Sequence, residues 1–109
     1  VAKSPFLTLF GLALAAVVSG AEIHGTITQN GKPLAQGTPV KLACGAVSAS
    51  GETDEFGAYN LKIAATGECK LTVEAKGSSP SLPVSVYDKP SRYDLVLAEE
   101  AGKPVLRRR

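Results

Sequence analysis

The sequence has 109 residues, 12 Lys and Arg against 10 Asp and Glu, one His and no Trp. That length supports one small domain with a modest core. The near-neutral balance offers no basic face for nucleic acid.

The first 21 residues read as a secretory signal. Lys3 supplies the positive n-region, Phe6 to Val18 the apolar run, and Ser19-Gly20-Ala21 the small residues before a cleavage site after Ala21. The apolar run is shorter than the ~20 residues a membrane span needs. Stable membrane insertion is therefore not expected after cleavage. Export to a secreted or periplasmic location implies an oxidising compartment, where Cys44 and Cys69 read as a disulfide. A redox or metal pair is less favoured, because there is no CxxC spacing and His24 is the only imidazole.

From Glu22 onward the apolar pattern has period two, broken by frequent turn signals. EIHGTIT places Ile23, Gly25 and Ile27 on one face, and Asn30-Gly31 follows as a hairpin dipeptide. Pro33 to Gly37 reads as a loop. TPVKLAC turns Val40, Leu42 and Cys44 inward, and AVSASGE is a weaker strand of small residues. AYNLKIA turns Tyr59, Leu61 and Ile63 inward, and CKLTVEA does the same with Cys69, Leu71 and Val73. LPVSVY and YDLVL complete about seven short strands, the spacing of an antiparallel sandwich. Pro83 fits least harmfully on an edge strand. From Ala98 the alternation stops, so residues 98–109 are expected to form a flexible basic tail ending in Arg107, Arg108 and Arg109.

The paired carboxylates Asp54 and Glu55 raise the question of a catalytic or calcium site. Asp54 and Gly57 sit at the first and fourth positions of TDEFG's turn, which suits a type I turn. The Asp54 carboxylate is then a backbone acceptor, Gly57 supplies φ > 0, and Phe56 and Tyr59 cap the core. A calcium site built from Glu52, Asp54 and Glu55 lacks the density of oxygen ligands of a dedicated loop. Sugar binding needs exposed aromatic platforms, and among the rings only Tyr87 is expected to be partly exposed.

Three segments, GTIT (Gly25–Thr28), NGKPLAQGTPVKL (Asn30–Leu42) and TDEFGAYNLKI (Thr53–Ile63), together resemble the carboxypeptidase regulatory-like domain. The family pattern is a Gly-bearing strand, then G-x-P-L-x-G-x-x-V, then T-D-x-x-G-x-Y-x-L. The resemblance implies an all-β, seven-stranded antiparallel Greek-key β-sandwich, transthyretin-like, over residues 22–97 after an N-terminal signal helix (1–21). It also implies no catalysis and no cofactor. Domains of this kind serve as folding aids, spacers or binding modules, and a bacterial source fits them. Hydrolytic relatives need several His and Arg with a distinctive C-terminal motif, and iron-binding ones need two His. One His meets neither requirement.

The expected function is a structural or protein-binding role at the cell envelope. A partner would pair with an edge strand, either the first or the one carrying Pro83, or bind the basic tail. A small ligand-binding module for carbohydrate or calcium is the alternative.

Overall fold

The computed structural model describes residues 20–109. The expected signal segment lies outside them, apart from Gly20 and Ala21. Every regular element among the described residues is a strand: β1 (Glu22–Gln29), β2 (Lys32–Pro33), β3 (Pro39–Cys44), β4 (Val47–Glu52), β5 (Ala58–Lys62), β6 (Gly67–Val73), β7 (Ser81–Val86), β8 (Pro90–Arg92), β9 (Leu95–Glu100) and β10 (Lys103–Arg108). The short β2 and β8, and β10, raise the count above the seven expected.

Two sheets share one core. In the larger, β1 is central: β5 lies antiparallel along one side of it and β2 continues that side. β8 and then β9 run parallel along the other side, and β10 pairs with β9. The smaller sheet is antiparallel in the order β4-β3-β6-β7. Period-two alternation sends Ile23 and Ile27 of β1, Leu42 of β3, Leu61 of β5, Leu71 of β6 and Leu95 of β9 into the same interior. Each such side chain contributes about 1.5–3 kcal/mol through removal from water.

The placement of β1 corrects one expectation. The first strand is flanked on both sides, so it presents no edge to a partner. The tail is a second correction. Residues 98–109 continue β9, turn at Ala101-Gly102 (φ 52° and 79°) and return as β10. Leu106, on that return strand, is buried.

Gly25 has a positional reason. The chain between β8 and β9 bends in towards β1, and a Cβ on Gly25 would sit 2.0 Å from the Tyr93 carbonyl oxygen. That carbonyl accepts the Tyr59 hydroxyl at 2.7 Å, so the close approach and the buried hydrogen bond depend on each other.

Candidate functional site

The carboxylate corner is a structural joint. The Asp54 carboxylate accepts the backbone N–H groups of Phe56 (2.8 Å) and Ala58 (2.9 Å). The Asp54 N–H donates to the Ala58 carbonyl, and the Gly57 N–H to the Asp54 carbonyl. Gly57 takes φ 73°, and a Cβ there would meet the Ile27 carbonyl oxygen at 2.6 Å. The turn is thus pressed against β1, where the Ile27 N–H donates to the Gly57 carbonyl. Thr53 is buried and fastens the preceding loop: its hydroxyl donates to the Ala35 carbonyl and accepts the Thr38 N–H. Glu55 is exposed. Phe56 is also exposed, at 67%, which corrects its expected place over the core. The turn points the ring outward because Asp54 and Gly57 hold the backbone inward.

A second carboxylate, Asp94, holds more of the structure together, and no local pattern in the sequence marks it. It sits where pairing passes from β8 to β9, and its Oδ1 replaces a backbone carbonyl as acceptor for the Thr26 N–H (3.0 Å) and hydroxyl (3.2 Å). Arg92 Nε donates to the same carboxylate at 3.0 and 3.1 Å. Partial burial pushes the Asp94 pKa up, but the Thr26 and Arg92 hydrogen bonds and the Arg92 charge outweigh it and hold the carboxyl below its ordinary value. Burial, foremost, with the charge of Asp94 drives the Tyr59 hydroxyl well above the ordinary tyrosine range. The Tyr59 hydroxyl accordingly stays protonated as the donor to the Tyr93 carbonyl.

The three terminal arginines are engaged within the fold. Arg107 forms an ion pair with Glu100. Arg108 lies over the Tyr93 ring, 4.2 Å from its centroid. Arg109 Nη2 is 3.9 Å from Asp94 Oδ2, and the Arg109 N–H donates to the Asp94 carbonyl. The expected free basic tail is instead a charged edge of the larger sheet.

Cys44 and Cys69 form a disulfide between the neighbouring strands β3 and β6. Their Cα atoms are 4.4 Å apart, the spacing of a directly opposed pair that exchanges no backbone hydrogen bonds. The pair follows Ala43↔Lys70 in the same register. The Glu74 N–H to Pro39 carbonyl bond has the complementary phase.

That phase fixes which backbone groups point outward at each sheet edge. On β7, the outward residues are Ser81, Pro83 and Ser85. Pro83 has no N–H, and the Tyr93 hydroxyl takes up both groups of Ser85, accepting its N–H (3.0 Å) and donating to its carbonyl (3.2 Å). On β10, the outward residues are Pro104, Leu106 and Arg108, again with one N–H missing. On β4, the outward residues are Ser48, Ser50 and Glu52. No proline, no tyrosine hydroxyl and, in its interior, no charge covers that edge. Val47, 39% exposed, stands at its start, and the turn bearing Phe56 follows its end.

An open depression of about 500 Å³ on the larger sheet is lined by His24, Thr26, Glu52, Asp54, Asn60 and Arg92. Most of its polar groups already have partners. Asp54 is bound to backbone, Thr26 and Arg92 to Asp94, and Asn60 to Glu22. Among the described residues, no three His, Cys, Asp or Glu side chains converge as metal ligands, and no helix is long and apolar enough to cross a membrane.

The sequence matches no protein-family model, and a search of curated proteins returns no match.

Proposed function

We propose that this chain is an exported, non-catalytic β-sandwich of the carboxypeptidase regulatory-like, transthyretin-like type with a structural or protein-binding role at the cell envelope. The T-D-x-x-G-x-Y residues support the family reading, because each has a distinct structural role. Thr53 and Asp54 hold the loop and turn, Gly57 permits the close approach, and Tyr59 fills the core. The disulfide supports export, since such bonds persist in oxidising compartments. In the depression, the Thr26 hydroxyl and N–H both donate to Asp94, where they help to join β1 to the β8–β9 segment.

The observation that carries protein binding is the uncovered β4 edge. Unpaired N–H and C=O groups on an edge strand are a template for another strand. Carbohydrate binding has less support. Phe56 and Tyr87 are exposed, but the turn of Phe56 abuts Ile27, at one end of β1, whereas Asp88, next to Tyr87, abuts Gly20, at the other. They form no shared platform.

A pull-down from the envelope fraction tests the reading, with the exported protein and its Ser50→Pro variant as baits. Proline at Ser50 removes one outward N–H and leaves the β3–β4 ladder intact. A specific partner retained by the first bait and lost by the second is the expected result. Identical captures by both baits, or no capture by either together with a strictly monomeric protein, would overturn protein binding through β4.

A further inference from the structure

We propose that the β4 edge pairs with the β4 edge of a second copy, joining the two four-stranded sheets into one continuous sheet about a two-fold axis at Ser50. The inference rests on the protein-binding reading above and names the partner.

Three observations favour a second copy. The first is register. Ser48, Ser50 and Glu52 are the outward-facing residues of β4. An antiparallel pairing centred on Ser50 sets Ser48 against Glu52 of the other copy, Ser50 against Ser50, and Glu52 against Ser48. Each such pair exchanges two backbone hydrogen bonds. Centring the axis one residue to either side leaves one outward residue of each copy without such a partner within the strand. The axis at Ser50 therefore uses all three outward residues of β4.

The second observation is charge. Glu52 is the single charged residue of β4, and this register places it opposite a serine. Like charges directly opposed across a joint are destabilising, and no two β4 residues paired in this register carry like charge. The edge formed by β10 would fail the same test, because Lys103, Arg107 and Arg108 crowd it.

The third is the position of exposed apolar groups. Only Val47, Phe56 and Tyr87 are exposed large hydrophobic residues among those described, and two of them bracket β4. The two-fold pairing brings Val47 of each copy to the end of the joint where the Phe56 turn of the other emerges. Both side chains then lose water contact at the two ends of the ribbon. Ala49 and Gly51 face the core of their own copy, Gly51 close against Leu61 of β5.

A joint of six residues a side is small beside the ~1,200–2,000 Å² of a standard interface. The dimer is therefore weak and concentration-dependent. Such a dimer is suited to a compartment or surface that concentrates the protein.

Sedimentation equilibrium of the oxidised, exported protein over a wide concentration series tests this. The expected result is a reversible monomer–dimer equilibrium. Ser50→Pro should weaken it by about tenfold or more, equivalent to about 1.4 kcal/mol. Ser81→Pro, the same change on the β7 edge, should leave it unaltered. Ser50→Lys sets two like charges against each other at the axis and provides a second disrupting variant should proline disturb folding, which circular dichroism would show. A monomer at every concentration would overturn the proposal, and so would a dimer indifferent to both Ser50 variants. A monomer that nevertheless captures another protein through β4 would overturn self-pairing and leave the protein-binding reading standing.

Discussion

The two flanks of the molecule treat their strand edges in opposite ways. On the flank of β7 and β10, two of the outward positions are proline, at Pro83 and Pro104, and the backbone of Ser85 is taken up by the Tyr93 hydroxyl. Three arginines add charge and contacts to that side. On the flank of β4 and β5, the outward backbone of Ser48, Ser50 and Glu52 has no such cover, and the outward Asn60 and Lys62 of β5 lie nearby. Proteins guard free edges with proline, charge and covering groups because an unguarded edge recruits another strand. The two flanks thus differ in whether their outward backbone groups are covered.

Both flanks depend on the β3–β6 centre of the smaller sheet, which the disulfide joins. The bridge closes a sequence separation of 25 residues, and a loop of that size should contribute about 3–4 kcal/mol in the chain-entropy model. The double variant Cys44→Ser, Cys69→Ser should therefore produce the largest loss, read as a marked fall in melting temperature. Both flanks should loosen together. A melting temperature equal to that of the parent, or unchanged by reductant in the parent, would remove the bridge from the account of stability.

Asp94 separates the flanks more selectively. Asp94→Ala leaves the Thr26 N–H and the Arg92 guanidinium without their acceptor, at a cost of about 2 kcal/mol. The effect has a pH signature. The folded state holds the Asp94 carboxyl below its ordinary value of 3.8, so its stabilising contribution is fully present above the unfolded value. It is lost as pH falls through the lower folded value. The stability gap between parent and variant should thus be constant at neutral pH and narrow below about pH 4. A gap that persists unchanged into strong acid would show that packing, and not the carboxylate, carries the effect.

The same contrast explains what could be read from the sequence. The core was legible because alternation marks it residue by residue: Ile23, Ile27, Leu42, Leu61 and Leu71 all lie buried on the expected phase. The role of Asp54 was legible because an Asx turn is local in sequence. The C-terminal hairpin was not. Its turn uses Ala101 at φ 52°, a conformation that alanine disfavours, and β10 is dense in charge, so neither the turn nor the strand signals itself. Asp94 was hidden for another reason. Its partners Thr26 and Arg109 lie far away in the chain or beyond the missed turn. The central place of β1 was equally nonlocal, because three strands from distant segments, β5, β8 and β9, converge on it.

Tyr93 offers the sharpest test of the comparison with the smallest change. Tyr93→Phe removes one oxygen and keeps the ring beneath Arg108. It frees the Ser85 N–H and carbonyl, uncovering that half of the β7 edge while Pro83 remains. The cost should be about 1 kcal/mol, because the freed groups lie at an edge that water can reach. Hydrogen exchange at concentrations where the protein is monomeric reads the effect directly. In the parent, the Ser85 amide should be protected and the Ser48 and Ser50 amides should exchange quickly. In the variant, Ser85 should exchange as they do, and new association insensitive to Ser50→Pro should arise from the β7 side. Unchanged protection at Ser85 would mean that the hydroxyl is not what guards that edge, and the difference between the flanks would then rest on Pro83, Pro104 and the three arginines.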